Sequence, residues 1–251
     1  MFRLTDMQLR HSLAIVAIVA LVASGLATPL RAQSAAEAWQ IVPQPQSSLV
    51  LARDGQLIGE LGTQFRLSVP IRTLPTYVGA AFIAVEDQRF YKHDGVDVVG
   101  MAAAFKDALR GHARGASTIT QQLVGNMHPD LIDRADRSIA RKIHEQNAAR
   151  EMERHYDKSQ ILEAYLNQIH FGHGWYGIEE ASRHYFGIPA ARLSLAQAAT
   201  LAALPKGPAL YDPVRHPDRA RDRRNLVLTL MAQQGYATSD AVAAAKAEPV
   251  V

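Results

Sequence analysis

Residues 80–95 have the sequence AAFIAVEDQRFYKHDG, an apolar helical run that ends abruptly in charged and aromatic residues. Glu86 is the first charged residue after the run. A carboxylate in that position lies where a protein core gives way to a cleft, and partial burial there makes it a better base near neutral pH. Most Glu-Asp pairs are nevertheless solvated surface, so this pair alone is weak evidence for catalysis.

Alanine, leucine and charged residues recur at helical spacing from Pro75 nearly to the end of the chain, which predicts a mainly α fold. Three helix starts have a capping-box pattern, in which a side-chain oxygen accepts from an unpaired amide and a glutamine three residues later reaches back. The pattern occurs at Thr118/Gln121, Asp157/Gln160 and Ser194/Gln197. Helix ends are predicted at Gly111, Gly187, Pro205 and Gly235.

Before Pro75 the pattern changes to that of β-structure. The apolar residues 49–51 and 57–58 flank Asp54-Gly55, and Asp-Gly supplies the positive backbone dihedral angles that a two-residue turn needs. A further short strand is expected near residues 65–69. The sequence therefore predicts a short N-terminal β-hairpin that precedes the helices.

The first 32 residues differ from the rest of the chain. Residues 12–30 carry no charge and are preceded by Arg3 and Arg10, which is typical of a signal peptide or a short membrane anchor. A buried N-terminal helix is the remaining alternative. Either export interpretation places the rest of the chain outside the cytoplasmic membrane. Residues 33–47 are interpreted as a tether, and residues 48–251 as the functional domain.

Composition excludes several kinds of site. The chain of 251 residues has no cysteine, so it has no disulfide, thiol nucleophile or cysteine-ligated metal. Its ten histidines are scattered, without the paired helical spacing of a zinc site. The formal net charge of +3 suits an anionic substrate or a membrane surface without requiring either. We expect no nucleic-acid partner.

Two further clusters could bind an anion. Residues 114–122, RGASTITQQ, place glycine and hydroxyl residues at a helix start, which suits an anion or sugar hydroxyls but also describes an ordinary capped helix. Arg134, Arg137 and Arg141 follow at helical spacing, with Lys142 beside them and Glu145 four residues beyond Arg141. On one continuous helix these arginines share a face and repel one another, and a bound diphosphate would offset the repulsion. A solvated face is the alternative.

In this order the clusters resemble the motifs of the peptidoglycan glycosyltransferases, glycosyltransferase family 51. The resemblance extends from about residue 49 to residue 249. The motifs are Glu86-Asp87-x-x-Phe90-x-x-His93-x-Gly95, Gly115-Ala116-Ser117-Thr118-Ile119-Thr120-Gln121-Gln122, Arg141-Lys142-x-x-Glu145, Lys158-x-x-Ile161-Leu162-x-x-Tyr165-Leu166-Asn167 and Arg223-Arg224-x-x-Val227-Leu228-x-x-Met231.

The resemblance implies a lysozyme-like large lobe with a small membrane-facing lobe. It implies that Glu86 is the general base in polymerisation of lipid II, which releases undecaprenyl pyrophosphate with inversion at the MurNAc anomeric carbon. Glu145 is the second catalytic candidate, which orients cations or holds a divalent ion. The implied substrate-binding residues are Asp87, Phe90, His93, Arg114, Ser117, Thr118, Gln121, Arg137, Arg141 and Lys142.

No cofactor is required by this resemblance, although Mg²⁺ or Mn²⁺ at Glu145 is an option. The implied partners are lipid II, the lipid-linked glycan strand, the cytoplasmic membrane at its periplasmic face and other cell-wall synthases. The chain ends at Val251 without the penicillin-binding transpeptidase domain of many relatives, so a monofunctional form is expected.

Two departures from the family pattern leave alternatives open. Position 125, usually a lysine that contacts phosphate, is glycine, so either donor binding is weaker or another cation such as Arg114 substitutes for the lysine. Residues 126–136 do not follow the usual pattern closely. A non-catalytic relative that binds lipid II or partner synthases therefore remains an alternative, as does a lysozyme-like lytic enzyme, which also uses a catalytic glutamate.

Overall fold

The structure is a computed structural model that describes residues 37–54, 57–61, 65–109 and 115–251. The predicted signal peptide or anchor lies outside these residues, and so do Gly55, Gly111 and Arg114. Within the described part of the chain, no helix combines the length and the apolar character needed to cross a membrane.

The predicted hairpin is confirmed. Strand β1 (Ser48–Leu51) pairs with strand β2 (Leu57–Leu61) in antiparallel orientation. The strand expected near residues 65–69 is shorter than predicted, since β3 spans Phe65–Arg66. It pairs in parallel with β4 (Trp175–Tyr176), a partner too distant in the chain for local periodicity to indicate.

Helices make up most of the remaining structure, which confirms the prediction of a mainly α fold; the membrane-facing lobe stays a prediction. The described residues contain nine α-helices: α1 (Thr76–Glu86), α2 (Val98–Leu109), α3 (Ile119–Met127), α4 (Ile139–His155), α5 (Lys158–Gln168), α6 (Ile178–Phe186), α7 (Leu195–Ala203), α8 (Pro217–Gln233) and α9 (Ser239–Ala247). Three single-turn 3₁₀ helices lie between them: Ile71–Thr73, Phe90–Lys92 and Ala190–Arg192.

The predicted capping boxes are all present. Thr118, Asp157 and Ser194 each accept from the backbone amide three residues later, and the glutamine at that position reaches back. At the other helix ends, Gly187 and Gly235 have φ values of 69° and 77°, which L side chains rarely adopt. Local sequence therefore determines where these helices begin and end.

Helix α1 passes through the core. Six of its residues are buried, and it packs against α7 and α8. The Phe82 ring meets Tyr165 and Phe171 edge-on, with ring centroids 6.3 and 6.1 Å apart. Gln234 Nε2 donates to the carbonyl of Ala84 at 3.0 Å. Since Glu86 is the last residue of α1, these contacts hold it at the boundary of the core.

The prediction of one continuous arginine face is wrong. Helix α4 begins only at Ile139, so Arg134 and Arg137 lie in the preceding loop. The side chain of Asp136 accepts from the amide of Ser138 at 2.8 Å, and Ser138 in turn caps α4. Such short polar side chains compete with helical hydrogen bonds for the backbone.

The described part of the predicted tether packs against the helices. The Trp39 ring stacks on His155 at the end of α4, with ring centroids 4.1 Å apart. His128 Nε2 donates to the carbonyl of Gln40 at 2.7 Å. Residues 37–47 are therefore in contact with the domain that follows them.

Arg224 is expected to be a main contributor to stability at the C-terminus. Its side chain is fully buried and donates to the carbonyls of Lys246, Glu248 and Pro249 at 3.0, 2.8 and 3.2 Å. Because Arg224→Met removes three hydrogen bonds that a buried guanidinium donates, we expect the free energy of unfolding to fall by about 2 kcal/mol. Urea denaturation measures this change. The exposed Arg219→Met on the same helix is the control, and equal losses for both variants would contradict the assignment.

Candidate functional site

Glu86 is half-buried at the end of α1, and its carboxylate is held from one side. Gln122 Nε2 donates to Glu86 Oε2 at 2.9 Å, and the Tyr165 hydroxyl donates to Gln122 Oε1 at 3.2 Å. Within the described residues, no donor is bonded to Glu86 Oε1. The carboxylate is thus fixed in place with one oxygen available to accept a proton.

The protonation of Tyr165 determines the direction of this chain of hydrogen bonds. Burial raises the pKa of the Tyr165 hydroxyl well above its ordinary value, and the charge of Glu86 raises that pKa further. Tyr165 therefore stays protonated, and its hydroxyl donates a hydrogen bond to Gln122 Oε1. That donation orients the amide nitrogen of Gln122 toward Glu86, where it can only donate.

An open cavity of about 400 Å³ lies beside Glu86. Ser117, Thr118 and Gln122 line it from the start of α3. Lys206 and Arg223 line it from the C-terminal part of the chain. The cavity thus combines the half-buried carboxylate of Glu86 and the buried carboxylates of Asp87 and Asp97 with hydroxyl and cationic side chains.

A cluster of cations adjoins this cavity. Lys142 Nζ donates to Ser117 Oγ at 2.9 Å and to Gln121 Oε1 at 3.2 Å. It also pairs with the buried carboxylate of Glu145, whose other oxygen pairs with Arg141. Because Ser117 lines the cavity, Lys142 lies beside the same space as Glu86. Glu145 holds Lys142 and Arg141 together and leaves the cluster with a net positive charge.

A divalent ion at Glu145 would compete with two cationic side chains for the carboxylate. Both of its carboxylate oxygens already accept from cationic side chains. Magnesium and manganese prefer several oxygen ligands. The described part of the chain has no group of three or more histidine or acidic residues placed to hold a metal. The donor set instead suits the orientation of Arg141 and Lys142.

Asp87 and His93 hold the start of α3 in place through hydrogen bonds. The Asp87 side chain is buried, and it accepts from the Ile119 amide and from His93 Nε2, each at 3.0 Å. Thr118 Oγ1 donates to the carbonyl of Gly95 at 2.7 Å. These bonds fix the loop that carries Ser117, although Asp87 also borders the cavity.

Phe90 was predicted to contact the substrate, but its side chain has no solvent-accessible surface. Its side chain is fully buried, and Lys158 Nζ lies 4.5 Å from the ring centroid. Arg137 is exposed in the loop before α4. Arg114 lies outside the described residues. The structure therefore brings Glu86, Ser117 and the cluster at Lys142 together, while Phe90 lies in the core and Arg137 is exposed.

A second ion pair lies at the cavity wall. Arg89 Nε contacts Asp97 Oδ1 at 3.1 Å. Burial alone would raise the pKa of Asp97, but the Gly100 amide and the Arg89 guanidinium outweigh burial and hold that pKa below its ordinary value. Asp97 is thus charged at neutral pH and neutralises Arg89, so Arg89 adds little to the positive charge of the cavity.

Sequence reasoning missed Gln122, Lys206 and Arg223 as site residues. For Arg223 a signal was present. Arg224, Val227, Leu228 and Met231 are buried at helical spacing, which places Arg223 beside that buried face. The Arg223 guanidinium lies 5.7 Å from the ring centroid of Tyr211. Lys206 follows a helix in a loop without periodicity, so no local pattern indicated it.

Comparison with known proteins identifies the family of this chain. A family model described as Transglycosylase matches residues 54–232, more than two thirds of the chain. Penicillin-binding protein 1A of Aquifex aeolicus is 46% identical over 198 residues, which cover 78% of this chain and 27% of that protein. Penicillin-binding protein 1F of Bacillus subtilis is 43% identical over 192 residues, which cover 76% of this chain and 26% of that protein.

The chain spans about a quarter of the length of these relatives. The crystal structure of penicillin-binding protein 1A from Haemophilus influenzae aligns with a TM-score of 0.49 and 27% identity, over 84% of this chain and 21% of that one. The extent of the family match decides the assignment. This chain belongs to the transglycosylase family, as its motifs predicted.

Proposed function

We propose that this protein is a peptidoglycan glycosyltransferase that polymerises lipid II into glycan strands and releases undecaprenyl pyrophosphate. One observation carries the proposal: Glu86 lines the same cavity as Ser117, and the Ser117 hydroxyl is bonded to Lys142. A base and a cationic cluster thus border one space. Membership of the transglycosylase family supports this chemistry.

Glu86 is the general base of the proposed reaction. A sugar hydroxyl is a poor nucleophile, and a positioned base accelerates its attack by about 10²–10⁴-fold. Glu86 Oε1 takes the proton from the 4-hydroxyl of the acceptor GlcNAc. Gln122 holds Glu86 Oε2 at 2.9 Å, so the carboxylate does not have to reorient.

The acceptor oxygen forms a bond to the anomeric carbon of the donor MurNAc as the bond from that carbon to the diphosphate breaks. The electron pair of the broken bond leaves with the diphosphate, and the proton of the acceptor hydroxyl stays on Glu86. Because the nucleophile enters from the face opposite the leaving group, the configuration inverts.

Arg141 and Lys142 stabilise the departing diphosphate. Charge develops on that group in the transition state, and cations already in place stabilise it without reorganisation. Glu145 positions both side chains, while Ser117 and Gln121 accept from Lys142. Arg137 and Arg114 remain proposed further contacts to the diphosphate.

The reaction is proposed to take place at the periplasmic face of the cytoplasmic membrane. Val98 and Val99 at the start of α2 are 66% and 58% exposed, and Ile139 at the start of α4 is 80% exposed. Exposed apolar side chains near a cationic cluster suit a lipid-linked anionic substrate. Other cell-wall synthases remain predicted partners.

Polymerisation of purified lipid II by the detergent-solubilised protein tests the proposal. We expect glycan polymers longer than the disaccharide on a gel, and no new reducing ends when the protein is incubated with purified sacculi. Absence of polymer would contradict the proposal. Release of reducing ends from sacculi without synthesis would assign the protein to the lytic alternative instead.

Removal of divalent cations is expected to have little effect. Because Arg141 and Lys142 occupy both oxygens of Glu145, the cations that the leaving group needs are supplied by the chain itself. We therefore expect the polymerisation rate in excess EDTA to stay within about twofold of the rate in Mg²⁺. A rate that vanishes in EDTA and returns with Mn²⁺ would contradict this role of Glu145.

A further inference from the structure

Position 125 on α3 lacks a side chain, and another residue fills the space. A Cβ added to Gly125 would lie 3.0 Å from Arg134 Cδ and 3.2 Å from Arg134 Cγ. Real Cβ atoms rarely have contacts this close. The stem of Arg134, from the loop before α4, therefore occupies the place that a side chain at position 125 would take.

The guanidinium of Arg134 is held against α3. It donates to Asn126 Oδ1. Its charge also reaches the buried Tyr165 hydroxyl: burial and the charge of Glu86 raise the pKa of Tyr165, and Arg134 acts to lower it. Since that hydroxyl donates to Gln122, which donates to Glu86, Arg134 adjoins the same network.

Helix geometry gives the same placement independently. Gln122 and Gly125 are three residues apart, so they share a face of α3 and are separated by about 4.5 Å along its axis. A cation lying over Gly125 is therefore about one helical turn from the residue that holds Glu86.

Arg134 also has charge available for a ligand. It is exposed, and none of the acidic side chains in the described part of the chain lies within ion-pair distance of its guanidinium. Its bond to Asn126 is to a neutral amide. A planar guanidinium held in this way can donate two parallel hydrogen bonds to phosphate oxygens.

We propose that Arg134 binds the diphosphate of the lipid-linked substrate and supplies, from a loop, the cation that position 125 does not provide. This inference rests on the proposed function and names a further substrate-binding residue for it. Arg134 is thus a further candidate for the role in which Arg114 was expected.

The affinity for lipid II in detergent micelles tests the inference, measured on the Glu86→Gln background so that no turnover occurs. We expect Arg134→Ala to raise the Kd by about tenfold, since one charge-assisted contact to phosphate is lost. The exposed Arg192→Ala is the matched control and is expected to leave the Kd unchanged. An Arg134→Ala variant that binds as tightly as its parent would overturn the inference.

Gly125→Ala provides a second, steric test. The added Cβ forces the stem of Arg134 to shift by a few tenths of an ångström, whereas alanine in a helix interior is favourable to folding. We expect a Kd raised in the same direction as by Arg134→Ala, with a Tm no lower than that of the parent. The two substitutions together should weaken binding no more than Arg134→Ala alone. Additive effects would show that Gly125 does not act through Arg134.

A third test moves the positive charge from position 134 to position 125. Gly125→Lys combined with Arg134→Ala should restore the affinity for lipid II to within about threefold of the parent, because a lysine stem then occupies the vacated space. Failure to restore binding would count against the inference. If the wild-type chain polymerises lipid II and the Kd is unchanged in Arg134→Ala, the inference is overturned and the proposed function stays intact. If no variant binds lipid II, both are overturned.

Discussion

Glu86→Gln is expected to lower the rate of lipid II polymerisation by about 10²–10⁴-fold. Glutamine has nearly the same shape as glutamate, and its side-chain oxygen can still accept from Gln122 Nε2. The network that ends at Tyr165 therefore survives, but the group that takes the acceptor proton does not. The rate of polymer formation from labelled lipid II, compared at equal protein concentration, measures the change.

A matched substitution separates chemistry from a general effect on the fold. Glu151 is a partly exposed glutamate on α4, paired with Arg154 at 2.7 Å, and Glu151→Gln removes the same charge away from the cavity. We expect that control to polymerise lipid II at the wild-type rate. A Glu86→Gln protein that is equally active would show that another group is the base.

Lys142→Met is expected to lower kcat by about 10²–10³-fold, the loss seen when one preorganised donor to a developing charge is removed. Methionine keeps much of the stem volume but leaves the diphosphate and Glu145 without the ammonium. Ser117 Oγ and Gln121 Oε1 also lose the hydrogen bond that Lys142 Nζ donates. Steady-state rates at saturating lipid II measure this effect, and Lys142→Arg should recover part of it because the charge is retained.

The partition between kcat and KM distinguishes this role from simple binding. If Lys142 acts on the leaving group, kcat falls more than KM rises. Lys246→Met is the control, because that ammonium donates to Thr229 Oγ1 at 2.8 Å on the C-terminal helices. A Lys142→Met protein whose kcat is unchanged would place the leaving group elsewhere.

Features that depend on neighbours in the chain could be predicted from the sequence. A capping box needs only residues three apart, and all three predicted boxes are present. The hairpin likewise depends on alternation around a short turn. The pairing of β3 with β4 joins segments more than one hundred residues apart, for which the sequence carries no local signal.

The site was predicted in part, and mainly through the resemblance of its motifs. Spacing alone left Glu86 and the cluster at Lys142 as weak candidates, and only folding brings Ser117 between them. The prediction of one continuous arginine face was wrong because the side chains of Asp136 and Ser138 end the helical pattern before Ile139. That same loop delivers Arg134 to Gly125, a contact that no periodicity indicates.

A structure of the Glu86→Gln protein with lipid II bound tests the central claim most directly. The account predicts that the diphosphate lies within ion-pair distance of Lys142 and Arg141. It also predicts that a sugar hydroxyl lies within about 3 Å of the side chain at position 86. Lipid II bound with its diphosphate outside the cavity, or with its sugars on the far side of α3 from residue 86, would contradict it.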